Sequence, residues 1–119
     1  MYQSMSTDGG QTWSRPVSAG ANGVKPALLL MSNGILVCAA GRMSAPPSLG
    51  NQLMFSLDGG HTWTNQTVIY HGPSTGYMGI VELRPGELLC TYDSLTLGWE
   101  EERNSIMMVT VRVERGDDA

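Results

Sequence analysis

The sequence predicts an all-β fold of repeated, antiparallel four-stranded sheets, and three observations predict it. The octapeptide Ser6-Thr7-Asp8-Gly9-Gly10-Gln11-Thr12-Trp13 returns as Ser56-Leu57-Asp58-Gly59-Gly60-His61-Thr62-Trp63, with six of eight positions identical and a spacing of 50 residues. A period of that length belongs to propeller-like or solenoid repeats, in which each unit buries an apolar face against the next. Asp-Gly and Asn-Gly pairs at Asp8, Asn33 and Asp58 stand between apolar segments, where glycine tolerates the positive φ of a tight hairpin turn. Finally, 15 glycines and 41% hydrophobic residues with only 15% charged residues suit a turn-rich globular chain of 119 residues, not a disordered or fibrous one.

Taken in order, residues 1–6 read as a strand leading into the first octapeptide, and 13–17 as an outer strand limited by Pro16. Residues 18–24, with Gly20 and Gly23, form a connection. The apolar run 26–32 predicts an inner strand buried on both faces. Asn33-Gly34 predicts a type I′ turn, and 35–42 the next strand. After a loop broken by Pro46-Pro47 come strands over 51–56 and 64–70, with the second octapeptide between them. The pattern then restarts, with strands at 77–83, 87–93 and 105–113, a turn at Arg84-Pro85-Gly86, and a loop carrying Trp99 and Glu100 to Glu102. The chain thus divides into the end of one unit (1–22), a whole unit (23–74), and a unit without its outer strand that ends in a polar tail expected to fray (75–119).

Within each octapeptide the aspartate can accept backbone N–H bonds across the turn, Ser and Thr can anchor its flanks, and Trp supplies an apolar body to tuck between strands. Ser6, Asp8, Gly10, Thr12 and Trp13, with Ser56, Asp58, Gly60, Thr62 and Trp63, are therefore structural fasteners. Cys38 and Cys90 lie 52 residues apart, as do the turn glycines Gly34 and Gly86, so the two thiols occupy equivalent strand positions and read as small buried residues.

Ser-x-Asp-x-Gly-x-Thr-Trp is the Asp-box, and its recurrence here resembles the sialidase-type (bacterial neuraminidase repeat) β-propeller. The resemblance implies six antiparallel four-stranded blades, of which this chain matches about two to two and a half. The propeller is incomplete in one chain, which is expected either to be a piece of a longer propeller or to self-associate. Residues 76–83 with 88–93 also resemble the segment that carries that family's tyrosine nucleophile. Carried over by position, the nucleophile falls on Tyr77, and the carboxylate that steadies a substrate-binding arginine falls on Asp93. A phenol in that role needs a neighbouring base, and sialidases are an exception to the two-carboxylate rule of glycosidases. Met78 and Gly79 depart from the family's segment, and Asn51 stands where one of its three arginines would.

An up-and-down meander places the Asp-boxes and the 33–34 and 85–86 turns at one end. The longer segments 42–50, 71–77 and 93–103 fall at the other, where function is expected. Arg42, His71 and Trp99 are candidate ligand-binding residues there: a cation, a group that can titrate near neutrality, and an aromatic for stacking on sugar. The expectation is a non-catalytic module binding carbohydrate or protein through this end. The alternative is part of a glycoside hydrolase using Tyr77 and Asp93 in a pocket completed by other blades or subunits. A net charge of −4 with no Lys/Arg run argues against nucleic acid and anionic membranes as partners. No cofactor or metal is expected, and no signal peptide or membrane-spanning run is visible, which leaves the location open.

Overall fold

The computed structural model describes residues 1–42, 49–95 and 105–116, and those residues form three antiparallel sheets with no helix. Sheet I pairs β1 (Tyr2–Gln3) with β2 (Val17–Ser18). Sheet II is a meander of β3 (Val24–Leu30), β4 (Leu36–Gly41), β5 (Asn51–Ser56) and β6 (Thr64–Tyr70). Sheet III is a meander of β7 (Met78–Arg84), β8 (Glu87–Ser94) and β9 (Ser105–Arg112). The all-β, antiparallel expectation holds, and none of the sheets closes on itself. Sheet I is far shorter than its sequence suggests. Met5 and Ser14 bond once more beyond it, Ser14 N–H to Met5 O at 2.7 Å, but Pro16 has no N–H to extend the ladder.

Turn chemistry sets the registers. At Met31–Ile35 only Gly34 has positive φ (85°), so the connection is not the expected type I′ turn. Gly34 N–H donates to Met31 O at 2.9 Å and Met31 N–H to Ile35 O at 2.8 Å, giving a three-residue loop whose last residue is left-handed. At Pro85-Gly86 the fixed φ of proline and Gly86 at 84° make a two-residue turn between Arg84 and Glu87.

The two Asp-boxes are superimposable in their bonding. Gly10 and Gly60 N–H donate to the hydroxyls of Ser6 and Ser56 at 2.8 Å, and those hydroxyls donate to Asp8 and Asp58 at 2.8 Å. Thr12 and Thr62 N–H reach the same carboxylates at 2.9 Å, and their hydroxyls do so at 2.5 and 2.6 Å. Only the tryptophans differ. Trp63 is half-buried and donates to Gln3 Oε1 of sheet I at 2.7 Å. Trp13 is 64% exposed and turns back to Gly10 O at 3.1 Å, so it does not tuck between strands as expected: the described residues offer it no preceding sheet.

The core lies between sheets II and III. Strand pairing sets Leu29, Val37, Ala39, Leu53 and Phe55 on the sheet II face that meets Ile80, Leu88, Cys90, Val109 and Val111 of sheet III. Glu82 adds a polar tie, accepting Ser32 N–H at 2.8 Å, Ser32 Oγ–H at 3.0 Å and Gly86 N–H at 3.1 Å. Cys38 and Cys90 are both buried free thiols, and burial pushes Cys90 up to about 11. The opposite face of sheet II carries Leu28, Cys38 and Met54, against which Met1, Gln3 and Trp63 assemble.

One expectation fails at β3. It is not buried on both faces but alternates, and Leu28 and Leu30 are 64% and 67% exposed. Sheet I has only two short strands, enough to flank Cys38 and Met54 but not the inner strand. The layers leave the molecule elongated, with a radius of gyration of 15.6 Å, where about 13.5 Å is typical of a compact domain of this length. The tail also differs from expectation at its start, because Arg115 donates to Asn33 O at 2.9 Å; residues 117–119 lie outside the described residues.

Asp8 and Asp58 are each held down to about 2 from an ordinary 3.8, first by the threonine hydroxyl, then by the threonine N–H and the serine hydroxyl. A depressed carboxylate stabilises the fold above its unfolded pKa and loses that contribution as the pH falls through the folded value. The urea midpoint is therefore expected to fall as the pH drops from about 4 to about 2, and Asp8→Asn with Asp58→Asn should flatten that slope. An unchanged slope in the double variant would show that the boxes do not hold these charges.

Candidate functional site

At the end opposite the turns, the segment joining β6 to β7 is bound to both sheets. Gly50 N–H donates to Gly72 O at 3.0 Å, and Leu95 N–H to Pro73 O at 3.0 Å. Asp93, at the end of β8, accepts Ser74 Oγ–H and Thr75 N–H, both at 2.9 Å. Burial works against the Asp93 charge, and these donors, with the Thr75 and Ser74 side chains, outweigh it and leave its pKa lowered. Beneath the segment Gly41 meets Gly76 so closely that a Cβ on Gly41 would overlap the Gly76 backbone. Sheet II touches the segment here through bare main chain.

Two cations border this segment, each from a left-handed residue. Lys25 (φ 55°) sits where β3 breaks register with β4, a bulge that re-aims its side chain. Its ammonium donates to Thr75 O at 2.8 Å and lies 3.8 Å from the Tyr77 ring centroid. Arg42 (φ 51°) follows β4 directly, and its side-chain stem runs beside Gly76. Non-glycine residues held in this region cost about 1–3 kcal/mol each, and they cluster where a site must be aimed. Tyr77 is 66% exposed, so its ring has one face under a cation and an edge in solvent.

Around this cluster, Tyr70 and Tyr92 stack with centroids 5.1 Å apart, and Tyr70 shares a 2.8 Å hydrogen bond with Ser94. Asn51, fully buried at the start of β5, has no hydrogen-bond partner for its amide nitrogen or oxygen among the described residues. Such a group is rare in a folded protein and marks a place where a further polar group belongs.

The candidates read from sequence part company here. The Arg42 stem borders Gly76, the residue before Tyr77, and Lys25, which the sequence did not single out, lies over the Tyr77 ring. Asp93 reaches the same segment but steadies Ser74 and Thr75; among the described residues no arginine pairs with it. His71 is exposed at the start of the segment. Trp99, the Pro46 loop and Glu100 to Glu102 lie outside the described residues. No carboxylate bonds the Tyr77 hydroxyl among the described residues, so the base a phenol nucleophile needs is not supplied by them. No cluster of three metal-ligating side chains occurs among the described residues either. The signal for Lys25 was Lys-Pro at the head of an apolar strand, which marks a break in regular pairing.

A depression of 710 Å³ lies at the other end beside Trp13, Arg15 and His61. It is a wide, open groove, so the converging charges and strained backbone at the loop end locate the candidate site better than volume does. The fold is that of an all-β protein of open antiparallel meanders. Comparison of the chain with protein-family models, with curated proteins and with solved structures finds no match.

Gly41→Ala is expected to force sheet II and the segment apart at Gly76 and to cost about 2 kcal/mol in urea unfolding. Gly9→Ala, where a Cβ meets nothing within 4 Å but φ is 73°, is the control for backbone strain alone. A Gly41→Ala variant as stable as the wild-type chain would mean that the Gly41–Gly76 approach is not a constraint.

Proposed function

We propose that the chain is a propeller-type Asp-box module that binds carbohydrate through its loop end, without catalysing a reaction by itself. The observation that carries this reading is the Lys25–Tyr77 pair beside Arg42, all bordering the 71–77 segment. The exposed face of the Tyr77 ring away from Lys25 offers a stacking surface for a sugar ring, while ammonium and guanidinium donors supply directional hydrogen bonds to its oxygens. The Asp-boxes support the architecture and take no part in binding, because their polar groups are satisfied within each turn. His71 would stand at the edge of the surface.

A second reading treats Tyr77 as the nucleophile of a glycoside hydrolase of sialidase type, with Asp93 nearby. What favours it is the exposure of Tyr77 with the Lys25 ammonium over its ring. It needs a base and further arginines from outside the described residues.

A glycan panel with fluorogenic sialosides separates the two readings. Binding that weakens roughly tenfold or more in Tyr77→Ala and Arg42→Ala, with no turnover, supports the module. Turnover abolished by Tyr77→Phe assigns the hydrolase instead, and no binding with no turnover removes both.

A further inference from the structure

Among the described residues, sheets II and III each present an uncovered apolar face, and the repeat relates each of them to one that is covered. On sheet III, the face turned away from sheet II carries Val81 and Leu83, each 48% exposed, with Ile106 and Met108 at 84% and 68%. On sheet II, the face turned away from sheet III carries Leu28 and Leu30. The 52-residue offset that maps Cys38 onto Cys90 maps Leu29 onto Val81 and Leu28 onto Ile80. Leu29 of β3 and Ile80 of β7, with Met78, pack into the core between the sheets. Val81 is thus the uncovered counterpart of Leu29, and Leu28 is the uncovered counterpart of Ile80.

We infer that a second copy of this chain covers these faces. The Val81 face of sheet III in one copy seats on the Leu28 face of sheet II in the next, repeating between molecules the packing that joins sheets II and III within one. The occupant follows from complementarity already realised inside the chain: the bare surfaces belong to the two halves of one known interface, of which Cys38 and Met54 are already covered beside sheet I. Sheet I covers Cys38 and Met54 on this face, while Leu28 and Leu30 of the inner strand stay exposed to a second copy. Leu30 takes the place that Glu82 fills in sheet III, so the intermolecular contact has a leucine where the internal one has the carboxylate tie to Ser32. Because two different faces meet, the contact is heterologous and propagates head to tail, closing into a ring if the rotation per copy allows. Two apolar patches on opposite sides of so small a chain are the surfaces that such an assembly removes from water.

Sedimentation of single and mixed variants tests this. The wild-type chain is expected to sediment as multiples of 12.8 kDa that dissociate on dilution. Leu28→Glu alone and Val81→Glu alone should each be monomeric, because every contact then contains one damaged face. Mixed in equal amounts they should form a 1:1 pair of twice the monomer mass, using the intact Val81 face of one and the intact Leu28 face of the other. A wild-type monomer at every concentration, either variant assembling alone, or a mixture that stays monomeric would overturn the inference. Leu30→Glu and Met108→Glu form a second pair with the same expected results, used if either first variant loses its far-ultraviolet circular dichroism.

Discussion

A sheet one layer thick has two faces, and an apolar residue on either is stable only if another layer covers it. That constraint organises this molecule. Strand alternation sends Leu29, Val37 and Leu53 one way and Leu28, Cys38 and Met54 the other, so sheet II needs a neighbour on both sides. Sheet III supplies one side completely, and sheet I supplies part of the other. The burial of β4 and β5 and the exposure of alternate residues on β3 both follow from where those neighbours reach. Covering a leucine-sized side chain contributes about 1.5–3 kcal/mol, far more than an exposed ion pair such as Arg112–Glu114 can add.

The Asp-box answers a different problem. A strand-to-strand reversal exposes amide groups that the ladder no longer satisfies, and the Asp, Ser and Thr side chains take them up locally. Its bonding is the same whether the following tryptophan is covered, as at Trp63, or bare, as at Trp13. A motif that closes upon itself in this way reports architecture and stands apart from the candidate site at the opposite end. There the chain does the reverse: it holds Lys25 and Arg42 in strained backbone, leaves Asn51 unpaired among the described residues, and brings two main chains into contact at Gly41 and Gly76.

Much of the fold was legible because its signals are local. The boxes and the Pro85-Gly86 turn are read from adjacent residues, and the strands over 51–56 and 64–70 coincide with β5 and β6. Where the sequence misled, the deciding partner was distant. An unbroken apolar run suggested that β3 is buried twice, but no local pattern says how wide the neighbouring sheet is. The type I′ reading of Asn33-Gly34 failed because Ser32 is held by Glu82, fifty residues away, and the loop takes one more residue. At the site, Tyr77 and Arg42 were visible as single residues. Lys25 was not, since its direction depends on a bulge and on Thr75 of another sheet. Asp93 was legible as important at its position, and its bonds show it bracing a loop.

The common thread is that no sheet here stands alone: sheets II and III fold as one unit because each completes the other's core. Hydrogen exchange on Leu88→Ala tests that most directly. Leu88 is fully buried in sheet III, and truncating it should cost about 3 kcal/mol. If the two sheets are one cooperative unit, the slow amides of β4 and β5 in sheet II should exchange roughly 100-fold faster, in step with those of β8. Faster exchange confined to β7, β8 and β9, with β4 and β5 unchanged, would contradict it.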